Sequence, residues 1–166
     1  MKEVASMQKV FLITGFNNWG KTTLLKDIFG TGAFRKGVAE TFAGYSFLVM
    51  PQSNDDLGKL RYEREYRERL RLYAAALGTP KYIAAAFCPT KERRNSSVAI
   101  IRGLFPKARI EMLLLEYKWC NQAKLLPSEV TSTYATERNV SIHVLSSRTR
   151  PGKEAAAKSI FRSCLP

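Results

Sequence analysis

Apolar positions along the chain fall into short runs separated by longer stretches of helical periodicity. Five runs read as buried strands, at about 8–14, 45–50, 81–88, 108–116 and 140–146. Tyr45-Ser46-Phe47-Leu48-Val49-Met50 is nearly continuous in apolar character, as expected of a strand covered on both faces. From about 56 to 77, Tyr62, Tyr66, Leu70, Tyr73 and Leu77 recur at spacings of three and four and predict one core-facing helical stripe. Arg61, Arg64, Arg67, Arg69 and Arg71 are expected on the remaining, solvated face. Gly78-Thr79-Pro80 ends this helix, Pro106 closes another at about 91–104, and Pro127-Ser128 opens a third at about 128–138. A last helix runs from Lys153 to Leu165, where Glu154-Ala155-Ala156-Ala157-Lys158 needs nothing beyond good helix propensity. Residues 30–44 are broken by four glycines and leave room for a short extra strand at 38–42. The alternation predicts one α/β domain over residues 1–166, with three α/β/α layers and a mainly parallel five-stranded sheet.

In such a sheet ligands gather at the carboxyl ends of the strands. Gly15-Phe16-Asn17-Asn18-Trp19-Gly20-Lys21-Thr22-Thr23 lies at one of those ends and fits the pattern G-x-x-x-x-G-K-[ST]. The strand Val10-Phe11-Leu12-Ile13-Thr14 precedes it, and the helix-like Leu24-Leu25-Lys26-Asp27-Ile28-Phe29 follows, ended by Gly30. The two glycines let the backbone curl until its N–H groups face a phosphate chain, and the helix N-terminus adds partial positive charge. Lys21 is expected to reach the β- and γ-phosphates and the Thr22 hydroxyl to ligate Mg²⁺. The competing reading is a plain glycine turn between a core strand and a core helix. With both flanks in place, the expectation is a nucleoside triphosphate, ATP or another, bound with Mg²⁺ by Gly15, Asn17 to Thr22 and Thr23.

Charge adds a second theme. The net charge of +13 attracts polyanions, and most of it falls in residues 57–77, 81–109 and 138–162. A solvated surface and a groove for nucleic acid fit this distribution equally well. No apolar run approaches the ~18–20 residues that span a bilayer, and Met1 to Ser6 lack the apolar core of a secretory signal. Cys88, Cys120 and Cys164 are odd in number and far apart, which argues against a disulfide framework or a metal knuckle. A reducing, cytoplasmic location is expected.

The ends of the other strands carry the remaining candidates. Pro51-Gln52-Ser53-Asn54-Asp55-Asp56 follows the second strand. A carboxylate there can accept a proton from a hydroxyl or hold Mg²⁺ through water, and either aspartate can also cap the next helix. After the third strand comes Cys88-Pro89-Thr90-Lys91-Glu92-Arg93-Arg94-Asn95. Paired arginines can grip a phosphate bidentately, and near a helix start they oppose the dipole unless something else needs them.

This layout resembles the P-loop NTPases, and within them the small P-loop kinases of the polynucleotide 5′-kinase and adenylyl-sulfate kinase branches. The resemblance implies Asp55 as base toward an acceptor hydroxyl and as a possible partner of Mg²⁺ beside Thr22. It implies Arg93 or Arg94 as a phosphate clamp, and residues 117–139, with Lys118, Lys124 and Arg138, as a lid. The chain departs from many members of that group in having Ala86 where an aspartate sits inside the third strand. Asn17-Asn18-x-Gly20-Lys21-Thr22-Thr23-Leu24-Leu25 is also similar to loops of ABC-type ATPases, but the Leu-Ser-Gly-Gly signature of those proteins is absent. Asp55-Asp56-Leu57-Gly58 matches the D-x-x-G of GTPases, yet no Asn-Lys-x-Asp follows to read guanine. Glu116 reads as a structural glutamate or as the strand-end acid of a hydrolysing ATPase. His143, the only histidine, reads as a packing residue, and Ser146-Ser147-Arg148 lies where a nucleotide base would be touched. The expected activity is therefore Mg-ATP-dependent phosphotransfer, on or near nucleic acid. An NTP-hydrolysing switch is the alternative.

Overall fold

The computed structural model describes residues 7–118 and 124–166. In chain order, the described elements are β1 (Lys9–Thr14), α1 (Lys21–Phe29), β2 (Glu40–Phe42), β3 (Tyr45–Met50), α2 (Asn54–Leu57), α3 (Lys59–Leu77) and β4 (Tyr82–Phe87). They continue with a 3₁₀ turn (Arg93–Asn95), α4 (Ser97–Leu104), β5 (Arg109–Leu115), α5 (Pro127–Thr133), β6 (Val140–Leu145) and α6 (Arg150–Cys164). The strands form one sheet of six in the order β2-β3-β4-β1-β5-β6, in which every pairing except β2–β3 is parallel. The α/β architecture and mostly parallel sheet are as expected. The strand count is not, because the short segment near 38–42 pairs antiparallel with β3 and makes a sixth strand.

Burial explains the order. Val10, Phe11, Leu12 and Ile13 are completely buried, so β1 takes the centre, with β4 on one side and β5 on the other. On one face Phe11 stacks on Phe161 of α6 at 4.2 Å, and Phe29 of α1, Phe42 and Phe47 complete an aromatic layer. On the other face Tyr62 and Tyr66 of α3 are buried, and Tyr66 meets Phe105 edge-on at 5.1 Å. The Ala84-Ala85-Ala86 run of β4 gives Tyr62 room to lie against the sheet. Its hydroxyl donates to the Ala86 carbonyl at 3.0 Å, and burial pushes the phenol well above its ordinary pKa.

Four helices differ from their expected spans, the last of them because α6 begins at Arg150, three residues before the expected Lys153. Gly58, at φ 77°, breaks the stretch 56–77 into α2 and α3. The stretch 91–104 is a 3₁₀ turn and then α4, because the Ser96 hydroxyl caps a new start by accepting from the Ala99 N–H. The third helix begins on Pro127 and ends at Thr133. Arg69 also leaves its expected solvent face. It is 8% exposed, pairs with Glu65 and donates to the Val49 carbonyl. Its stem thus joins the tyrosine stripe, while its guanidinium closes the open carbonyl beside β3. No helix among the described residues is long and apolar enough to cross a membrane.

The β2–β3 turn is built from Ala43 at φ 51° and Gly44 at φ 83°. Two left-handed residues make the tight turn that suits the strand twist, but alanine adopts this conformation poorly and asparagine well. Ala43→Asn is therefore expected to stabilise the protein by about 0.5–1 kcal/mol, read as a higher urea midpoint with an unchanged slope.

Candidate functional site

The chain changes sides of β1 between β4 and β5, which leaves a crevice beyond the carboxyl ends of these strands. Residues 15–20 fill its floor. The Gly15 N–H donates to the Phe87 carbonyl at 3.1 Å, so the loop starts by extending the β1–β4 pairing. A Cβ on Gly15 would lie 3.3 Å from Trp19 Cβ, closer than the packing there comfortably allows. Trp19 is 6% exposed and meets Phe16 edge-on at 5.6 Å, so its indole supports the loop from below. Asn18 and Gly20 both have positive φ, and Gly20 turns the chain directly into α1. Gly20 brings no side-chain acceptor to the first helical turn, so the N–H groups there are available to a ligand.

Lys21 is buried and held in place. Its Nζ donates to the Gly15 carbonyl at 2.8 Å, to the Phe16 carbonyl at 3.1 Å and to Asp55 Oδ1 at 3.2 Å. The Thr22 hydroxyl donates to the Pro51 carbonyl at 2.7 Å. The first turn of α1 is thereby tied to the turn that follows β3.

That turn owes its shape to Asn54, which is completely buried. The Asn54 side chain accepts from the Cys88 N–H at 2.7 Å and donates to the Cys88 carbonyl at 3.0 Å, standing in for one more rung of the sheet. Asn95 Nδ2 donates back to the Asn54 carbonyl at 2.9 Å. Thr90 and Ser97 extend the network. The Thr90 hydroxyl donates to the Asn95 carbonyl, the Ser97 hydroxyl to the Thr90 carbonyl, and the Tyr134 hydroxyl to Ser97 Oγ at 2.6 Å. The Ser53 hydroxyl caps α2 by accepting from the Asp55 N–H. Asp55 is thus presented to Lys21 by a neighbour anchored on β4, while Asp56 is exposed.

Two clefts flank the Lys21–Asp55 pair. The larger, about 730 Å³, runs along residues 17–24 and is walled by Asp27, Asp56, Lys118, Arg150 and Lys153. The smaller, about 510 Å³, opens on the other side between Asp55, Cys88, Glu92, Leu125 and Val130, and Asn17 borders both. Burial pushes the Cys88 thiol up to about 12, so at neutral pH this group contributes shape and not a thiolate.

The expected site residues divide. Asn17, Asn18, Trp19, Gly20, Lys21, Thr22 and Thr23 line the larger cleft, Gly15 shapes its floor, and Asp55 meets Lys21. Arg93 and Arg94 sit exposed on the 3₁₀ turn and line neither cleft. The cations that do line the larger cleft are Lys118, Arg150 and Lys153. Arg150 forms a bidentate pair with Asp27 at 2.8 and 2.7 Å, and Lys153 Nζ donates to the Tyr117 carbonyl. Nothing in the sequence singled these two out; Gly152 between them lacks a Cβ that would collide with Ser147 Oγ. The close approach folds the start of α6 against the turn after β6. Of the expected lid, residues 119–123 lie outside the described residues. Elsewhere in it Leu125, Val130 and Tyr134 are buried.

Fold and site together define an α/β protein whose central strand ends in a glycine-and-lysine loop between two clefts. No protein-family model and no curated protein matches the chain.

Two outcomes test this geometry. Asn54→Ala strands the buried N–H and carbonyl of Cys88 and is expected to cost about 2–4 kcal/mol in chemical denaturation, whereas Asn95→Ala costs less. The Arg150 hydrogen bond holds the Asp27 carboxyl below its ordinary pKa. Its contribution is present above the unfolded value of about 3.9 and disappears as pH falls through the lower folded value. The Tm gap between wild type and Asp27→Asn should therefore be widest near neutrality and close on acidification.

Proposed function

We propose that the chain is a P-loop nucleoside-triphosphate-binding protein that transfers the γ-phosphoryl group of Mg-ATP to an acceptor hydroxyl. One observation carries this reading: Asp55 lies between the lysine of the loop and a second cleft large enough for an acceptor.

The triphosphate would lie along Gly15 to Thr23, its charge met by the first-turn N–H groups of α1, Lys21, Lys118, Arg150 and Lys153. Thr22 fits the role of metal ligand, since its hydroxyl proton is already given to Pro51 and its lone pairs remain. Asp56, on the wall of the same cleft, fits a contact to Mg²⁺ through water. When bound, Mg²⁺ supplies charge neutralisation at the β- and γ-phosphates. Arrival of the γ-phosphate competes for Lys21 and so releases Asp55. Asp55 then takes the proton of an acceptor hydroxyl in the smaller cleft. The acceptor oxygen forms a bond to the γ-phosphorus as the bond from that phosphorus to the β–γ bridging oxygen breaks, leaving the nucleoside diphosphate and a phosphorylated acceptor.

The acceptor, on this reading, is a hydroxyl compound or nucleic-acid end. Exposed Arg93 and Arg94 beside the smaller cleft, with Arg61, Arg64 and Arg67 along α3, offer a polyanion surface. Asp55, Glu92 and Glu129 around the cleft itself favour an acceptor that is uncharged where it reacts.

A second reading is nucleotide binding with hydrolysis coupled to a partner, and β4 weighs against fast turnover of either kind. Its Ala84-Ala85-Ala86 run carries no carboxylate, and the Ala86 carbonyl is engaged by Tyr62. Labelled γ-phosphate separates the two readings. Transfer to a 5′-hydroxyl oligonucleotide or a small hydroxyl compound supports the first, and release to water unchanged by any acceptor supports the second. Lys21→Ala should weaken nucleotide binding at least about tenfold. Asp55→Asn should retain binding while lowering transfer about 10²–10⁴-fold. Unchanged affinity in Lys21→Ala would remove both readings.

A further inference from the structure

At the opposite end of the sheet three chemically different donors converge. Glu111 lies on β5 and faces the α6 side, in register with Phe11, whose ring packs on Phe161. It is 3% exposed, a costly place for a carboxylate. His143 of β6 points to the same face, and its Nε2 lies 2.7 Å from Glu111 Oε2. Cys164, the last residue of α6, completes the group, and one ligand atom from each residue lies within 4.8 Å of the other two.

We infer that Glu111, His143 and Cys164 form a binding site for a borderline-soft divalent cation, with Zn²⁺ the best match. An imidazole nitrogen, a carboxylate oxygen and a thiolate sulfur together favour Zn²⁺ over Mg²⁺ or Ca²⁺, which take oxygen sets. Tetrahedral Zn²⁺, with bonds of roughly 2.0–2.3 Å, spaces its ligand atoms roughly 3.3–3.8 Å apart. The His143–Glu111 contact of 2.7 Å would therefore open by about 0.6–1 Å, and the longer spacings would close by no more than about 1.5 Å. Cys164 can supply that movement, because it is the last residue of α6 and only partly buried.

Charge agrees with the assignment. One dication, one carboxylate, one thiolate and a neutral imidazole sum to zero, so the occupied group is neutral around the buried Glu111 and the partly buried His143 and Cys164. Arg109 Nε donates to the other oxygen of Glu111 at 3.0 Å, orienting the carboxylate so that Oε2 faces His143. Lys9 Nζ donates to the Cys164 carbonyl, which ties the end of α6 to the start of β1. Three protein ligands leave a fourth position for water. Cation binding would then fasten the end of α6 to β5 and β6, far from the phosphate loop and independent of the proposed phosphotransfer.

The test is titration of the reduced, untagged full chain with Co²⁺, followed by competition with Zn²⁺. The expected result is one equivalent bound, with a near-ultraviolet thiolate-to-cobalt band and visible bands of tetrahedral cobalt, all lost when Zn²⁺ is added. Cys164→Ser should abolish the near-ultraviolet band, and His143→Ala should weaken binding at least about tenfold. Cys88→Ala and Cys120→Ser, which leave the three donors untouched, should retain the band. Zn²⁺ should raise the Tm of the wild type but not of Cys164→Ser, a readout that holds even if the variant starts less stable. No thiolate band in the wild type, or a band that survives Cys164→Ser, would overturn the assignment.

Discussion

The working end of the sheet depends on one buried carboxamide. Asn54 pairs with both backbone groups of Cys88 and so joins the loop after β3 to the loop after β4. Asp55, Asn95 and Thr90 take their positions from that pairing, and Ser97 and Tyr134 extend it to α4 and α5. A buried amide whose donors and acceptor are all matched is rigid, because each partner lost would leave a desolvated polar group. Placement of the acidic group beside Lys21 therefore rests on a neighbour with no charge.

The strands and the loop were readable because their causes are local. Four consecutive buried residues in β1, two turn-forming glycines and a helix stop at Gly30 need no distant partner to be recognised. The helix breaks were less readable. Gly58 is tolerated in many helical patterns, and only its positive φ shows that α2 and α3 are separate. Arg69 lay on the apolar stripe by spacing, but its charge suggested solvent, and only the open Val49 carbonyl explains its burial. At 51–56 the two aspartates are the residues that stand out, and nothing in the local pattern announces that Asn54 completes a strand.

The same logic separates the arginines expected beside the loop from the cations that line its larger cleft. Arg93 and Arg94 follow a strand end at the right distance in sequence, but the 3₁₀ turn carries them outward. Arg150 and Lys153 belong to a helix whose composition explains itself, and they enter the cleft only because Gly152 lets α6 start against Ser147. Glu111, His143 and Cys164 come from three elements, the first two 32 positions apart in the chain. Their convergence is a property of the sheet register and not of any motif.

Trp19 has a consequence of its own. Its indole sits in the hydrophobic core while its backbone belongs to the glycine-and-lysine loop after β1. The curled backbone is therefore pinned to the interior through Trp19, although Phe16, Asn17 and Asn18 face solvent. Opening that curl would expose a large aromatic surface, so the cradle should come apart only when the core does. A loop of this kind acts as a fixed mould: whatever it holds must fit the shape already cast.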